Sequence, residues 1–175
     1  DELDAIDADA VVVIDPREND PLVASFRARG MQVVAIGDVP GVDVNGVVER
    51  GYAEAEVAID HLVERGARNI AVLSTIEQHS LAATLRRFVR DRAGAVDARL
   101  RLVEVSTQSG EERAYRRTTE LLAEEPLLDA VYAPIDVFAV GAVRAVLDAG
   151  KRIPEEVMIM TNFDGPRAQS AAPSL

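Results

Sequence analysis

Short runs of apolar, β-branched residues alternate with longer amphipathic segments along this chain, beginning with Ala10-Val11-Val12-Val13-Ile14. A parallel sheet covered by helices produces this rhythm. Its strands are buried on both faces and read as continuous apolar runs, while each crossover helix shows one apolar stripe. Strands are expected at Ala10 to Ile14, Gln32 to Ile36, Asn69 to Ser74, Leu100 to Val105, Leu128 to Ala133 and Glu156 to Thr161. From Tyr52, residues Ala55, Ile59, Leu62 and Val63 recur at helical spacing, with Glu54, Glu56 and Asp60 on the other face and Gly66 as a stop. Ser109 and Glu112 have the spacing of a capping box for a helix that buries Ala114, Leu121 and Leu122. Val137 to Ala149 is apolar almost all round, which predicts packing on more than one side. The fold class is α/β, with parallel sheets in three layers and helices on both faces.

Residues 37–46 break the rhythm with glycines, a proline and cap-forming residues, and read as a crossover between two lobes. Residues 1–45 then form part of an N-terminal lobe and the crossover, 46–165 a C-terminal lobe, and 166–175 the start of a return crossover. Only two expected strands and one helix precede the crossover, fewer than an independent sheet needs. The chain opens without an initiator Met and closes on Ala172-Pro173-Ser174-Leu175, in mid-connection. The first lobe is therefore expected to be incomplete.

Composition excludes several functions. Thirty acidic residues against nineteen basic ones give a net charge of −11, which repels phosphate backbones, so this segment is not itself a DNA reader. With no cysteine there are no disulfides and no thiolate nucleophiles or metal ligands. The start carries no basic segment followed by an apolar run, and no stretch approaches a membrane span, so a cytoplasmic protein without a membrane partner is expected. Metal-helix, nucleophile-elbow, phosphate-loop and dinucleotide motifs are absent, and His61 and His79 are the two histidines, read as surface residues. No catalytic residue, cofactor or metal is expected. Asp136 and Asp164 as a glycosidase-type acid/base pair is the remaining enzymatic reading.

Ligands of open parallel sheets bind beyond the carboxyl ends of the strands, where loops and helix N-termini converge. The residues there are Asp15; Ser74, Thr75 and Glu77; Ser106, Thr107 and Gln108; Asp136; and Asn162 and Asp164. Their hydroxyls, amides and carboxylates suit a ligand with several hydroxyl or amine groups, such as a sugar or nucleoside. The same residue types also serve turns and caps. Asp136 reads as an N-cap, alone or lining the cleft as well. Asp164 reads as an Asx-type turn residue with Gly165 supplying a positive φ, and Phe163 as core rather than a stacking platform.

Ala133-Pro134-Ile135-Asp136-Val137-Phe138-Ala139-Val140-Gly141-Ala142, continuing through Leu147-Asp148-Ala149-Gly150-Lys151-Arg152-Ile153-Pro154 to Asn162-Phe163-Asp164, resembles the most distinctive stretch of the LacI/GalR repressors. Asp20-Pro21-Leu22, Gln32 to Gly37, Gly66 to Leu73 and Pro173-Ser174-Leu175 extend the resemblance over nearly the whole chain. It implies a two-lobed, periplasmic-binding-protein-like domain that closes on a small-molecule effector, forms a homodimer, and meets operator DNA only through a helix-turn-helix outside this chain. A solute-binding receptor of an uptake system with the same fold is the alternative. A helix-turn-helix upstream of Asp1 would mark the regulator, and a secretory signal the receptor. The family's effector-contacting arginine, four residues before an aromatic, is Thr84 here, with Arg86 as the nearby substitute. Its asparagine before Asp136 is Ile135, its Asp-Asn pair before Gly51 is Val47-Val48 or lies out of register, and its Asp-Asp after the aromatic is Asp164-Gly165. These losses imply a more apolar pocket than a sugar site or a weakened effector response.

Overall fold

The computed structural model describes residues 7–17, 19–37, 44–48, 53–77 and 80–173. In chain order the elements are β1 (Ala10–Ile14), α1 (Pro21–Ala28), β2 (Gln32–Ile36), β3 (Gly46–Val48), α2 (Ala53–Glu64), β4 (Asn69–Thr75), α3 (Ser80–Arg92), β5 (Arg99–Val105), α4 (Gly110–Glu124), β6 (Ala130–Tyr132), α5 (Asp136–Asp148), β7 (Met158–Met160) and α6 (Pro166–Ser170). The chain divides into two compact units, Asp1–Gly51 with Gln78–Thr84, and Tyr52–Glu77 with Leu85–Leu175.

The first unit holds a parallel sheet in the order β1-β2-β3. Asp20 starts α1 by accepting the Leu22 N–H at 2.9 Å, and Pro21 sets the first helical φ. Val23 and Phe26 of α1 pack with Met31, Val13 and Val33 into a small core on one face of the sheet. The opposite face keeps Val12, Ile14 and Val48 more than half exposed. Gly46–Val48 lies in and beyond the run read as a crossover, and it becomes a strand because Val34–Ile36 pair with it. The first sheet therefore reaches past the 45/46 boundary.

The second unit holds a parallel sheet in the order β5-β4-β6-β7. The chain leaves β4 to one side for β5 and returns to its other side for β6, which makes the carboxyl ends of β4 and β6 the topological switch point. Alternation sends Ala71, Leu73, Val103, Val105, Val131 and Ala133 toward α4 and α5, where they meet Leu121, Leu122, Phe138, Ala142 and Val146. As expected from its all-round apolarity, α5 buries residues on several sides, including Phe138, Ala139, Val143 and Ala145. Gly141 permits that packing, because a Cβ there would run into the Glu111 carbonyl and stand 2.9 Å from Tyr115 N. On the other side of the sheet, Arg92 of α3 pairs with Asp60 of α2 at 3.1 Å. At the opposite end of the strands, the Asp129 carboxylate accepts the Arg68 and Asn69 N–H groups at 2.8 and 2.9 Å and fixes the starts of β4 and β6 together.

The capping box does not form. Ser109 precedes α4 in a left-handed conformation, φ +57, with no side-chain cap bond, and Glu112 instead accepts Arg116 and Arg144 at 3.0 and 3.1 Å.

Candidate functional site

In the first unit Asp15 follows β1 with φ +49, a conformation that aspartate tolerates better than most residues. Its N–H donates to Ile36 O at 2.8 Å and its Oδ1 accepts the Ser80 hydroxyl at 2.6 Å. Gly37 makes room for this pair. It has φ +124, and a Cβ there would collide with Ser80 Oγ and lie 3.0 Å from Asp15 Oδ1. Thr84, one turn further along α3, is buried.

In the second unit the polar residues beyond β4 and β5 are brought together and tied to one another. Glu77 is the knot. Its carboxylate accepts the Thr75 hydroxyl, the Ser106 hydroxyl at 2.9 Å and the Thr107 N–H at 3.2 Å, while its own N–H donates to Thr75 Oγ1 at 3.1 Å. Burial works to raise the Glu77 pKa. Hydrogen bonds from its own backbone, Ser106 and Thr107 outweigh that and hold it below its ordinary value. Gln108 donates its N–H to Ser106 Oγ at 3.2 Å, and its side chain is exposed. Ser74 is fully buried, and its hydroxyl has no hydrogen-bond partner among the described residues. Arg86 donates through Nε to Glu104 Oε1 at 2.8 Å, so the guanidinium considered as a clamp is engaged with β5.

Beyond β6 and β7 the arrangement departs from expectation. Asp136 is the first residue of α5 rather than its N-cap, a position Ile135 takes without a side-chain bond. The Asp136 carboxylate accepts the Val137 N–H at 2.7 Å and lies 3.5 Å from where a Gly165 Cβ would stand. An acid in this first turn complements the helix dipole. Gly165 has φ −82 and serves as N-cap of α6, so the positive φ proposed for an Asx turn at Asp164 is not used. Phe163 is 52% exposed rather than core, because it follows the edge strand β7. The buried Tyr132 donates its hydroxyl to Asn162 Oδ1 at 2.9 Å, and Asn162 Nδ2 donates to Glu54 Oε2 at 2.7 Å. Beside this chain of bonds runs a groove of about 470 Å³ lined by Ala53, Glu54, Val57 and Ala58 of α2 and by Met160 to Phe163. Sequence reasoning placed Glu54 on a solvated helix face and did not single out Tyr132. The available signal was a phenol in an otherwise apolar strand, since a buried tyrosine hydroxyl needs a partner.

His61 is exposed on α2, and His79 lies outside the described residues. Among the described residues no group of three or more His, Asp or Glu could hold a metal ion, and no helix is long and apolar enough to cross a membrane.

The sequence profile of the periplasmic binding protein-like domain matches residues 59–175, two thirds of the chain, taking in β4 to β7. The chain belongs to that family. Its curated relatives include the ribose operon repressor of Halalkalibacterium halodurans, 29% identical over 86% of this chain and 45% of the relative. The HTH-type transcriptional regulator CelR of Thermobifida fusca is 26% identical over 95% of this chain and 50% of the relative. The chain thus spans about half the length of the curated relatives it matches. A regulatory protein of the LacI family from Chloroflexus aggregans superposes with a TM-score of 0.79 at 25% identity, over 96% of this chain and 61% of that one. The transcriptional regulator CelR–cellobiose complex reaches 0.81 at 23% identity, over 99% and 54%, and shows the shared fold. The LacI/GalR resemblance of the sequence and its periplasmic-binding-protein-like fold agree with these family members, which are named for transcription regulation rather than for a catalysed reaction.

Proposed function

We propose that this periplasmic-binding-protein-like chain is the effector-sensing and dimerisation part of a cytoplasmic, DNA-binding transcription regulator of the LacI/GalR type. The observation that carries the reading is the family match over 59–175, which contains the four strands whose carboxyl ends hold the acids, hydroxyls and groove wall of the second unit. A small sugar or nucleoside-like molecule is the effector; one relative is named for a ribose operon, and one structural neighbour holds cellobiose. Within the second unit Gln108, Asp136 and Asp164 are assigned to the effector; Ser74, fully buried, is not. Binding works by stabilising one of two states of the domain, which changes how an attached pair of DNA-binding heads fits its operator. With a net charge of −11, this segment leaves the DNA contact to those heads.

Fluorescence anisotropy of the full-length protein with its own promoter fragment tests this. Tight, salt-sensitive binding that one member of a sugar and nucleoside panel weakens or strengthens is the expected result. No binding to the promoter at low salt would sink the proposal.

A further inference from the structure

We infer that Asn45 is a site of spontaneous deamidation, held in check by the pairing of β3 and by the two donors on its side-chain carbonyl. The chain has four asparagines, Asn19, Asn45, Asn69 and Asn162, and only Asn45 is followed by glycine. That order favours the reaction. The atom that attacks an asparagine side chain is the next residue's backbone nitrogen, and glycine has no Cβ to shield it or to resist the turn that closes the ring.

The fold does not ask for a glycine at position 46. Its φ lies outside the left-handed region, and a Cβ there would have Val34 Cγ2, at 4.0 Å, as its nearest neighbour. Asn45 itself is exposed, so water reaches its amide.

The surrounding bonds oppose the reaction. Asn45 Oδ1 accepts Arg27 Nη1 at 2.9 Å and the Val33 N–H at 2.8 Å, while the Asn45 N–H donates to Val33 O at 2.7 Å. Gly46 pairs with Val34 in the register of β2 and β3. Ring closure requires the side chain to leave both donors and the Gly46 nitrogen to turn toward Cγ, which the paired, extended backbone forbids. The reaction therefore runs from a state in which the start of β3 has come away from β2. A three-residue strand at the edge of its sheet opens at low cost.

In that state hydroxide takes the Gly46 amide proton and the nitrogen attacks Cγ of Asn45. The Cγ–Nδ2 bond breaks, and the nitrogen takes a proton from water and leaves as ammonia. Water then opens the succinimide. Attack at Cγ gives aspartate, which keeps an acceptor for Arg27 and Val33. Attack at the main-chain carbonyl gives isoaspartate, which routes the chain through Cβ and adds one backbone atom before Gly46. Gly46–Val48 then loses its register against Val34–Ile36. The modification thus records each opening of β3 and keeps part of the molecules from closing again.

Incubation of the full-length protein in mildly alkaline buffer, followed by mass spectrometry of tryptic peptide 30–50, in which Asn45 is the one asparagine, tests the inference. Fragmentation locates the amide-to-acid conversion and separates aspartate from isoaspartate. Conversion should proceed at Asn45 ahead of the other three asparagines, and at least about tenfold more slowly than in the same protein unfolded in guanidinium. Arg27→Met should speed it by about fivefold, the weight of one hydrogen bond. Gly46→Ala, for which the fold has room, should slow it in folded and unfolded protein alike, and circular dichroism checks that both variants fold. No conversion in the folded protein once the unfolded chain has fully converted would overturn the inference. Equal rates in the two states, or an unchanged rate in Arg27→Met, would overturn it as well.

Discussion

The hydroxyl of Tyr132 donates to Asn162 Oδ1 at 2.9 Å, and the Glu54 carboxylate, which can only accept, holds the other end of the same amide through Nδ2 at 2.7 Å. Tyr132→Phe keeps the buried ring, so its cost should be that of one hydrogen bond, about 1 kcal/mol. Urea denaturation of the variant measures it, and an unchanged midpoint would show that the bond adds nothing to stability.

Gly141 lets α5 lie directly on the backbone of α4. Since a Cβ would meet the Glu111 carbonyl and Tyr115 N, neither of which is the flexible end of a side chain, the helices must separate to admit it. Gly141→Ala should therefore destabilise by about 2 kcal/mol, against the usual gain from replacing a helical glycine. A raised melting temperature would contradict the packing described.

Ser74 behaves in the opposite sense. Among the described residues its hydroxyl is buried without a partner, and such a group costs free energy in the folded state. Ser74→Ala should leave stability unchanged or raise it by about 1 kcal/mol. A large loss on thermal denaturation would mean that the hydroxyl has a bonding role.

Acid should destabilise the fold. Glu77 is held below its ordinary 4.5 by hydrogen bonds that outweigh burial; Glu112 by Arg116 and Arg144, Glu124 by Arg117 and Arg101, and Glu156 by the backbone and guanidinium of Arg152. A depressed folded value contributes stability that is complete above the unfolded value and lost as pH falls through the folded one. Urea midpoints should stay flat from neutral pH to about 5 and drop steadily below about 4. Glu77→Gln should differ most from the parent at neutral pH and converge with it in acid.

How much of this was legible depended on where the determining contacts lie. Strands β1 and β2 match their expected limits because their β-branched runs are bounded by turn residues, a local signal. Strand β3 is three residues long, follows glycine and proline, and owes its conformation to pairing with β2, which no window of sequence contains. The Ser109 motif failed because the left-handed backbone at Ser109 denied its hydroxyl the cap bond, while two arginines claimed Glu112. For the site, strand ends could be read from the apolar runs, so Ser74, Thr75, Gln108 and Asp136 fall where strand-end residues should. Which of them pair with one another could not be read. The link from Asn162 to Glu54 joins residues 108 positions apart, and Phe163 was read as core because only the sheet order reveals that it follows an edge.

The bare face of the first sheet bears on solubility. Val12, Ile14 and Val48 form an oily strip next to three paired strands, on a chain whose charge otherwise keeps molecules apart. Because strand alternation points Val12 and Ile14 away from Phe26, threonine at both positions should lower dye binding and light scattering of concentrated samples without disturbing the core beneath α1.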